Sequence, residues 1–419
     1  MDKWTWQEAL DIYMAIEDFD GPNSSYHSTR GFVRTSPPAL ETTLSNEFIT
    51  ACEEMGIPRT ADFNAPGGRY GAGYYHFNTR DGVRESAAKA FLGPMLDSKT
   101  AKSTRSNFQL MLDTTVTVSV LRFSLPIVSQ AVLFSLMLVL RRSELDAYFT
   151  AITSKKNTNA STFGLFGSAG ISAGAFLIPP GATLPEIQLT LFPRKSEPHM
   201  SNSAELNHVT EVIITIALLH PLARNRVVLV HDDDDSVDDN DSDDHLIPRV
   251  VSEVPEAKPE HLREGDVWKI TWAIGVVREI AAKLGKAKRC CGCWEVSQSA
   301  NTSELNIGLA AKGLVGREIT PGSDVTSSKD LDAWVFNSVF RNTHWVGSAS
   351  MAVSEDEGVV DNHLRVFGIK NLRVADASVI PLIPNGNVHS SVVMVANRAA
   401  QILREDEADY RRRHADHAK

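Results

Sequence analysis

The sequence predicts an α+β fold with some α/β character, in which helical segments near both chain ends enclose a middle region that reads as an antiparallel sheet. Three observations carry this. Residues 4–18 and Val267 to Leu284 show apolar residues at helical spacing. Leu184 to Phe192, Val209 to Leu218 and Arg226 to Val230 are β-branched runs with no helical pattern between them, as expected of strands that pair antiparallel. Near the C-terminus, two short strand-like runs and a Pro/Gly turn lead into a last helix.

In order along the chain, the helix over 4–18 rests on Trp6, Ala9, Leu10, Tyr13 and Ile16. Ser45 to Met55 reads as a second helix, stopped by Gly56 and Pro58. Residues 63–82, rich in glycine, read as loop, and Arg84 to Phe91 as a short helix. Phe108 to Val120 alternates and is β-branched, so it reads as strand. Residues 144–180 read as a polar loop followed by Gly164, Gly167, Gly170 and Gly174. Ser328 to Arg341 reads as helix. Leu364 to Val366 and Leu372 to Asp376 read as short strands around Gly368. A final helix over Val388 to Arg404 follows, with Asn387 as its N-cap.

Composition narrows the function classes. The 419 residues carry a formal charge of −10, so the chain has no global attraction for nucleic acid or anionic lipid. Nine of the residues from Asp232 to Asp244 are aspartate, which predicts a solvated, disordered acidic loop over 232–245. The four cysteines, Cys52, Cys290, Cys291 and Cys293, are too few for a disulfide scaffold. The last three lack the ligand spacing of a zinc site and read as reduced surface thiols, so no metal is expected. No apolar signal-peptide region follows Met1, so a soluble protein is expected. Phe123 to Leu140 is uncharged and precedes Arg141 and Arg142. Its Pro126, Ser124, Ser129, Gln130 and Ser135 favour a buried helix or strand pair over a membrane span, which stays as the alternative.

The chemistry concentrates between Thr343 and Ala400. His344-Trp345-Val346-Gly347-Ser348 is followed by Val359-Val360-Asp361, then by Leu372-Arg373-Val374-Ala375-Asp376-Ala377-Ser378, then by Gly386-Asn387 before the last helix. A helix start offers free backbone N–H groups and a positive dipole end, which suits an anionic group.

In this order the motifs resemble the C-terminal part of the glucose–methanol–choline (GMC) family of FAD-dependent oxidoreductases, whose pattern has His-Pro-Val-Gly-Thr, Val-Val-Asp, Leu-Arg-Val-x-Asp-Ala-Ser and Gly-Asn. Upstream, Trp4-Thr5-Trp6, Asp62-Phe63-Asn64, Asn78 to Leu92 with its Gly82, Arg84, Ser86 and Ala87, Thr115-Val116-Thr117, Pro221 to Leu229 and Arg317 to Gly322 are also similar to family segments. The resemblance implies oxidation of a small-molecule alcohol by hydride transfer to FAD. His344 would be the general base, with Asn387 hydrogen-bonding the alcohol oxygen. It also implies that Val116 meets the adenine end of FAD, that Asp376 and Ala377 lie near its ribityl and pyrophosphate, and that the helix start at Val388 faces the flavin. The electron acceptor, oxygen or another molecule, stays open.

The sequence departs from the family where the family begins with a strand–Gly-x-Gly-x-x-Gly–helix unit. No such motif occurs in the 419 residues; Gly67 to Gly73 lacks its spacing. The expected architecture is therefore an incomplete, Rossmann-like FAD-binding domain with its first βαβ unit missing, interleaved with an antiparallel substrate domain. Its parts are 1–121 as a flavin-domain remnant and lid region, 122–330 as the substrate domain and 331–410 as the catalytic C-terminal part. The alternative expectation is a truncated, flavin-free and catalytically inactive homologue.

Overall fold

The computed structural model describes residues 3–38, 41, 43–96, 104, 126–127, 131–141, 171–195, 209–231, 246–252, 262–284 and 318–415. The N-terminal elements are α1 (Trp6–Ile16), β1 (Glu17–Phe19), β2 (Val33–Thr35), α2 (Thr43–Glu54), β3 (Gly71–Tyr74), β4 (Thr79–Arg80) and β5 (Val83–Arg84). The middle holds β6 (Pro126–Ile127), β7 (Ala131–Arg141), β8 (Ala173–Leu177), β9 (Ile187–Lys195), β10 (Val209–Leu218), β11 (Asn225–His231) and β12 (Leu246–Ser252). The C-terminal elements are α3 (Glu264–Lys283), α4 (Ser328–Ser338), β13 (Phe340–Arg341) and α5 (His389–Ala415).

A six-stranded antiparallel sheet in the order β13-β7-β10-β9-β8-β3 forms the centre. The alternation in the sequence sets its inner face. Ile187, Leu189 and Leu191 of β9 and Val212, Ile214, Ile216 and Leu218 of β10 are fully buried on alternate positions. Against them lie Ile270, Ile274, Val277 and Ile280 of α3, with Phe48 and Ile49 of α2 and Val335 of α4. Each such side chain contributes roughly 1.5–3 kcal/mol through burial. Buried Asp266 fixes the start of α3, because its carboxylate accepts the backbone N–H groups of Leu222 and Arg263.

A second cluster joins the two chain ends. Met351, Val360, Leu364, Val366, Val379, Val395 and Ala399 pack together with Trp4 at its margin. Arg398 of α5 donates to the Glu8 carboxylate at 2.9 Å and to the Lys3 carbonyl at 2.9 Å. Tyr13 Oη lies 3.0 Å from Ser391 Oγ. The capping box of Thr5 and Glu8 starts α1 at this junction.

Several sequence expectations need correction. Residues 63–82 are not all loop, and the 144–180 stretch ends in a strand: β3 and β8 pair there, with Gly73 opposite Gly174. Their small residues give no hydrophobic alternation to read. A Cβ on Gly174 would stand 2.1 Å from Tyr75 Oη and 2.2 Å from the Leu189 carbonyl, so only glycine fits this crossing. The short helix expected over Arg84 to Phe91 is confined to its second half. Arg84 pairs with Thr79 in a hairpin turning on Asp81 and Gly82, both at positive φ, and a π turn over Ala88–Leu92 follows. Helix α4 ends at Ser338, before Arg341, where Val339 turns extended into β13. The Leu364–Val366 and Leu372–Asp376 runs make isolated bridges, such as Arg365 with Arg373, rather than full strands. Residues 131–141, within the uncharged Phe123 to Leu140 stretch and just past it, form strand β7. Among the described residues no helix is long and apolar enough to cross a membrane. The strand expected at Phe108 to Val120, the acidic loop 232–245 and the Cys290–Cys293 cluster lie outside the described residues.

Candidate active site

The edge of the main sheet delivers the candidate base. In β13, Phe340 and Arg341 pair with Val132 and Ala131 of β7, and the chain leaves the sheet directly into Asn342, Thr343 and His344. Val346 is buried two residues further on, and Gly347 takes a positive φ of 92°. This turn holds the His344 backbone between a fixed strand end and a buried anchor.

A small apolar cluster brings distant segments to this loop. Val346, Ile383 and Val388 are buried together, with Ala377, Ile380 and Val392 around them. Two backbone bonds reinforce it: Ala349 N–H donates to the Ser378 carbonyl at 2.9 Å, and Met351 N–H to the Val379 carbonyl at 3.0 Å. Asp376 accepts the Ser378 N–H at 2.8 Å and so caps the 3₁₀ turn Ala377–Val379. Gly386, at φ 129°, turns the chain into α5.

His344 and Asn387, 43 residues apart in sequence, meet here: Asn387 Nδ2 lies 3.4 Å from His344 Nε2. On the other side of the ring, Asn342 Nδ2 lies 3.0 Å from Nδ1. Burial lowers the His344 pKa below the ordinary histidine value, since desolvation disfavours the imidazolium. The ring is therefore neutral near pH 7, the form that can accept a proton. The Asn387 side chain is turned to His344, where the sequence suggests an N-cap of α5.

Of the other residues singled out from sequence, Asp376 is exposed and Ala377 half-buried on the turn beside this cluster, and Val388 is buried within it at the start of α5. Val116 lies outside the described residues. Sequence reasoning missed Asn342. The one available signal was a polar side chain two positions before His344, which the motif itself does not include.

The arrangement offers a neutral imidazole, a primary amide and the first turn of a long helix on one side of the protein. The first N–H groups of a helix lack intrahelical partners, and His389 and Ser390 at this end are exposed. Such a constellation can take a proton, orient a hydroxyl or carbonyl oxygen and stabilise adjacent negative charge.

The family model described as GMC oxidoreductase matches residues 221–396. The fatty acid photodecarboxylase of Chlamydomonas reinhardtii is 24% identical over 457 residues, covering 96% of this chain and 73% of that protein. The oxygen-dependent choline dehydrogenase of Vibrio vulnificus is 44% identical over 89 residues, 21% of this chain and 16% of that enzyme. Among solved structures, formate oxidase of Aspergillus oryzae superimposes with a TM-score of 0.69 at 17% identity, covering 97% of this chain and 79% of that one. The pyridoxine 4-oxidase described from Mesorbium loti gives 0.64 at 19%, covering 96% and 77%. At these identities the structural matches speak to the fold alone. FAD is named in the description of the formate oxidase structure.

Proposed function

We propose, from the match of residues 221–396 to the family model described as GMC oxidoreductase, that the protein binds FAD and oxidises the CH–OH group of a small alcohol with His344 as the general base. The observation that carries the reading is His344 itself: a half-buried, neutral ring whose Nε2 faces the Asn387 amide across 3.4 Å. In this reading His344 takes the hydroxyl proton at Nε2, and Asn387 hydrogen-bonds the same oxygen and orients it. Proton removal at a positioned base contributes roughly 10²–10⁴-fold to rate.

The residues present fit the ring end of FAD. The start of α5 directly follows Asn387, which reaches His344, with the exposed His389 and Ser390 at its first turn, and the N–H groups of a helix start suit a ring edge that becomes negative. Ala377 packs against the cluster beside this helix start, and Asp376 caps the turn that carries it. When bound, FAD supplies the hydride acceptor. The small apolar cluster of Val346, Ile383 and Val388 would fix the distance between the base and the helix start. The domain division at 121 and 330 and a FAD-binding part drawn from both chain ends belong to this proposal.

One observation favours a second reading, a flavin-free and inactive homologue: the 419 residues hold no Gly-x-Gly-x-x-Gly motif. A single preparation separates the two. Purified protein is incubated with FAD, desalted and mixed anaerobically with a panel of small alcohols including choline and aryl alcohols. Retained yellow flavin that bleaches with an alcohol supports the oxidoreductase, and His344→Gln should then abolish bleaching while keeping the flavin. Protein that returns colourless after desalting refutes the first reading and leaves the second.

A further inference from the structure

His344 is flanked by two amides, and the two cannot both be satisfied by the same neutral ring as they stand. Asn342 Nδ2 lies 3.0 Å from Nδ1, and Asn387 Nδ2 lies 3.4 Å from Nε2. An amide NH₂ only donates, whereas a neutral imidazole has one accepting nitrogen and one N–H. The tighter contact is also the one whose orientation is fixed. The backbone N–H of Thr343 donates to Asn342 Oδ1 at 3.1 Å. Turning the Asn342 amide over would bring its NH₂ against that N–H, donor against donor. Asn342 therefore presents its NH₂ to Nδ1, and the lone pair of the neutral ring belongs on Nδ1 with the proton on Nε2. Asn387 faces solvent and its backbone enters a helix, so its amide is free to turn and offer its oxygen to that Nε2–H.

We propose that Asn342 is the positioning residue that sets the tautomer of His344, holding the resting ring as a donor at Nε2, so that a half-turn of the Asn342 amide must precede proton uptake at that nitrogen. This rests on the base role proposed above only for its kinetic consequence; the tautomer itself is a property of the folded chain. Asn342→Asp isolates the effect. A carboxylate can accept from Thr343 N–H with one oxygen and from Nδ1–H with the other, so the ring is locked with its lone pair on Nε2. A charge beside the ring also favours its protonated form.

The test is nitrogen-15 NMR of the purified full chain, with the His344 signals identified by their loss in His344→Gln. Above its titration point, wild-type His344 should show a protonated Nε2 and an unprotonated Nδ1. In Asn342→Asp the pattern should exchange, and the titration should move up by about one unit. A protonated Nδ1 in the wild type, or the same pattern in both proteins, would overturn the proposal. Should Asn342→Asp fail to fold, the wild-type spectrum alone decides. With FAD bound, the acid limb of the pH profile for alcohol-dependent flavin reduction should shift upward by the same amount in Asn342→Asp; an unmoved limb would sever the tautomer from catalysis. If the NMR result holds and no alcohol reduces the flavin, the oxidoreductase reading fails and the tautomer assignment stands.

Discussion

His27 Nε2 lies 2.7 Å from Asp62 Oδ2, and its Nδ1 lies the same distance from Glu17 Oε2. Only a ring protonated on both nitrogens can donate to both carboxylates. Burial pulls the His27 pKa down, but the hydrogen bonds and charges of Glu17 and Asp62 outweigh it, so the net shift is upward. His76, 4.0 Å from the other oxygen of Asp62, is shifted down by burial, so the proton belongs to His27. Phe19 stacks on the His27 ring with centroids 3.9 Å apart. The cation thus clips the segment after β1 to the loop before β3.

The raised pKa fixes the sign of a pH effect. The clip contributes in full below the unfolded histidine value of about 6.5 and is lost as pH rises through the folded value. Urea unfolding at pH 6 and at pH 9 should show the wild type losing more stability with rising pH than His27→Gln does. At pH 6 the substitution should cost about 2–3 kcal/mol, somewhat below the value for a fully buried pair. Equal pH dependence in the two proteins would show that His27 is not charged.

His344 behaves in the opposite sense. Its pKa is lowered by burial, so alcohol-dependent flavin reduction should hold steady through neutral pH and fall only below about 6.5. His344→Gln should lower the rate by roughly 10²–10⁴-fold with little change in flavin content. A rate that declines from pH 8 downward would contradict the lowered value.

Arg278 of α3 grips the buried Glu318 with two nitrogens, at 3.0 and 2.8 Å, and donates to the carbonyls of Gly322 and Val325. Removing one partner strands a charge in the interior. Arg278→Ala should cost about 3–5 kcal/mol, read as a lower urea midpoint at unchanged slope. Arg278→Lys keeps the charge but loses the planar fork, and should recover only part of the stability.

Gly174 tests the narrowest crossing in the sheet. A methyl group there meets both Tyr75 Oη and the Leu189 carbonyl. Gly174→Ala should destabilise by about 1–3 kcal/mol, and adding Tyr75→Phe should restore little, since the carbonyl still blocks the methyl. Full recovery in the double variant would mean that the hydroxyl alone sets the limit.

The larger elements were legible because burial is periodic. Ile187, Leu189 and Leu191 alternate in the sequence and alternate in the sheet, and α3 follows its apolar stripe closely. Elements built from small or short segments were not. The Gly-Ala-Gly-Tyr of β3 carries no stripe, and β13 has two residues, too few for any period. Asn342 escaped for a related reason, since a hydrogen-bond partner two residues away leaves no pattern.

By itself the sequence set the order of His344, Asp376, Ala377 and Asn387, the helix that follows them, and the match of residues 221–396 to the family model described as GMC oxidoreductase. Only the tertiary structure decided which of those groups meet. The cluster of Val346, Ile383 and Val388 closes the 43-residue gap between His344 and Asn387, and the partners around a ring decide its proton. His27 between two carboxylates is a cation, whereas His344 between two amides in a half-buried loop is neutral. A histidine's charge follows from what folding places within hydrogen-bond reach, and that is a property of space rather than of sequence neighbours.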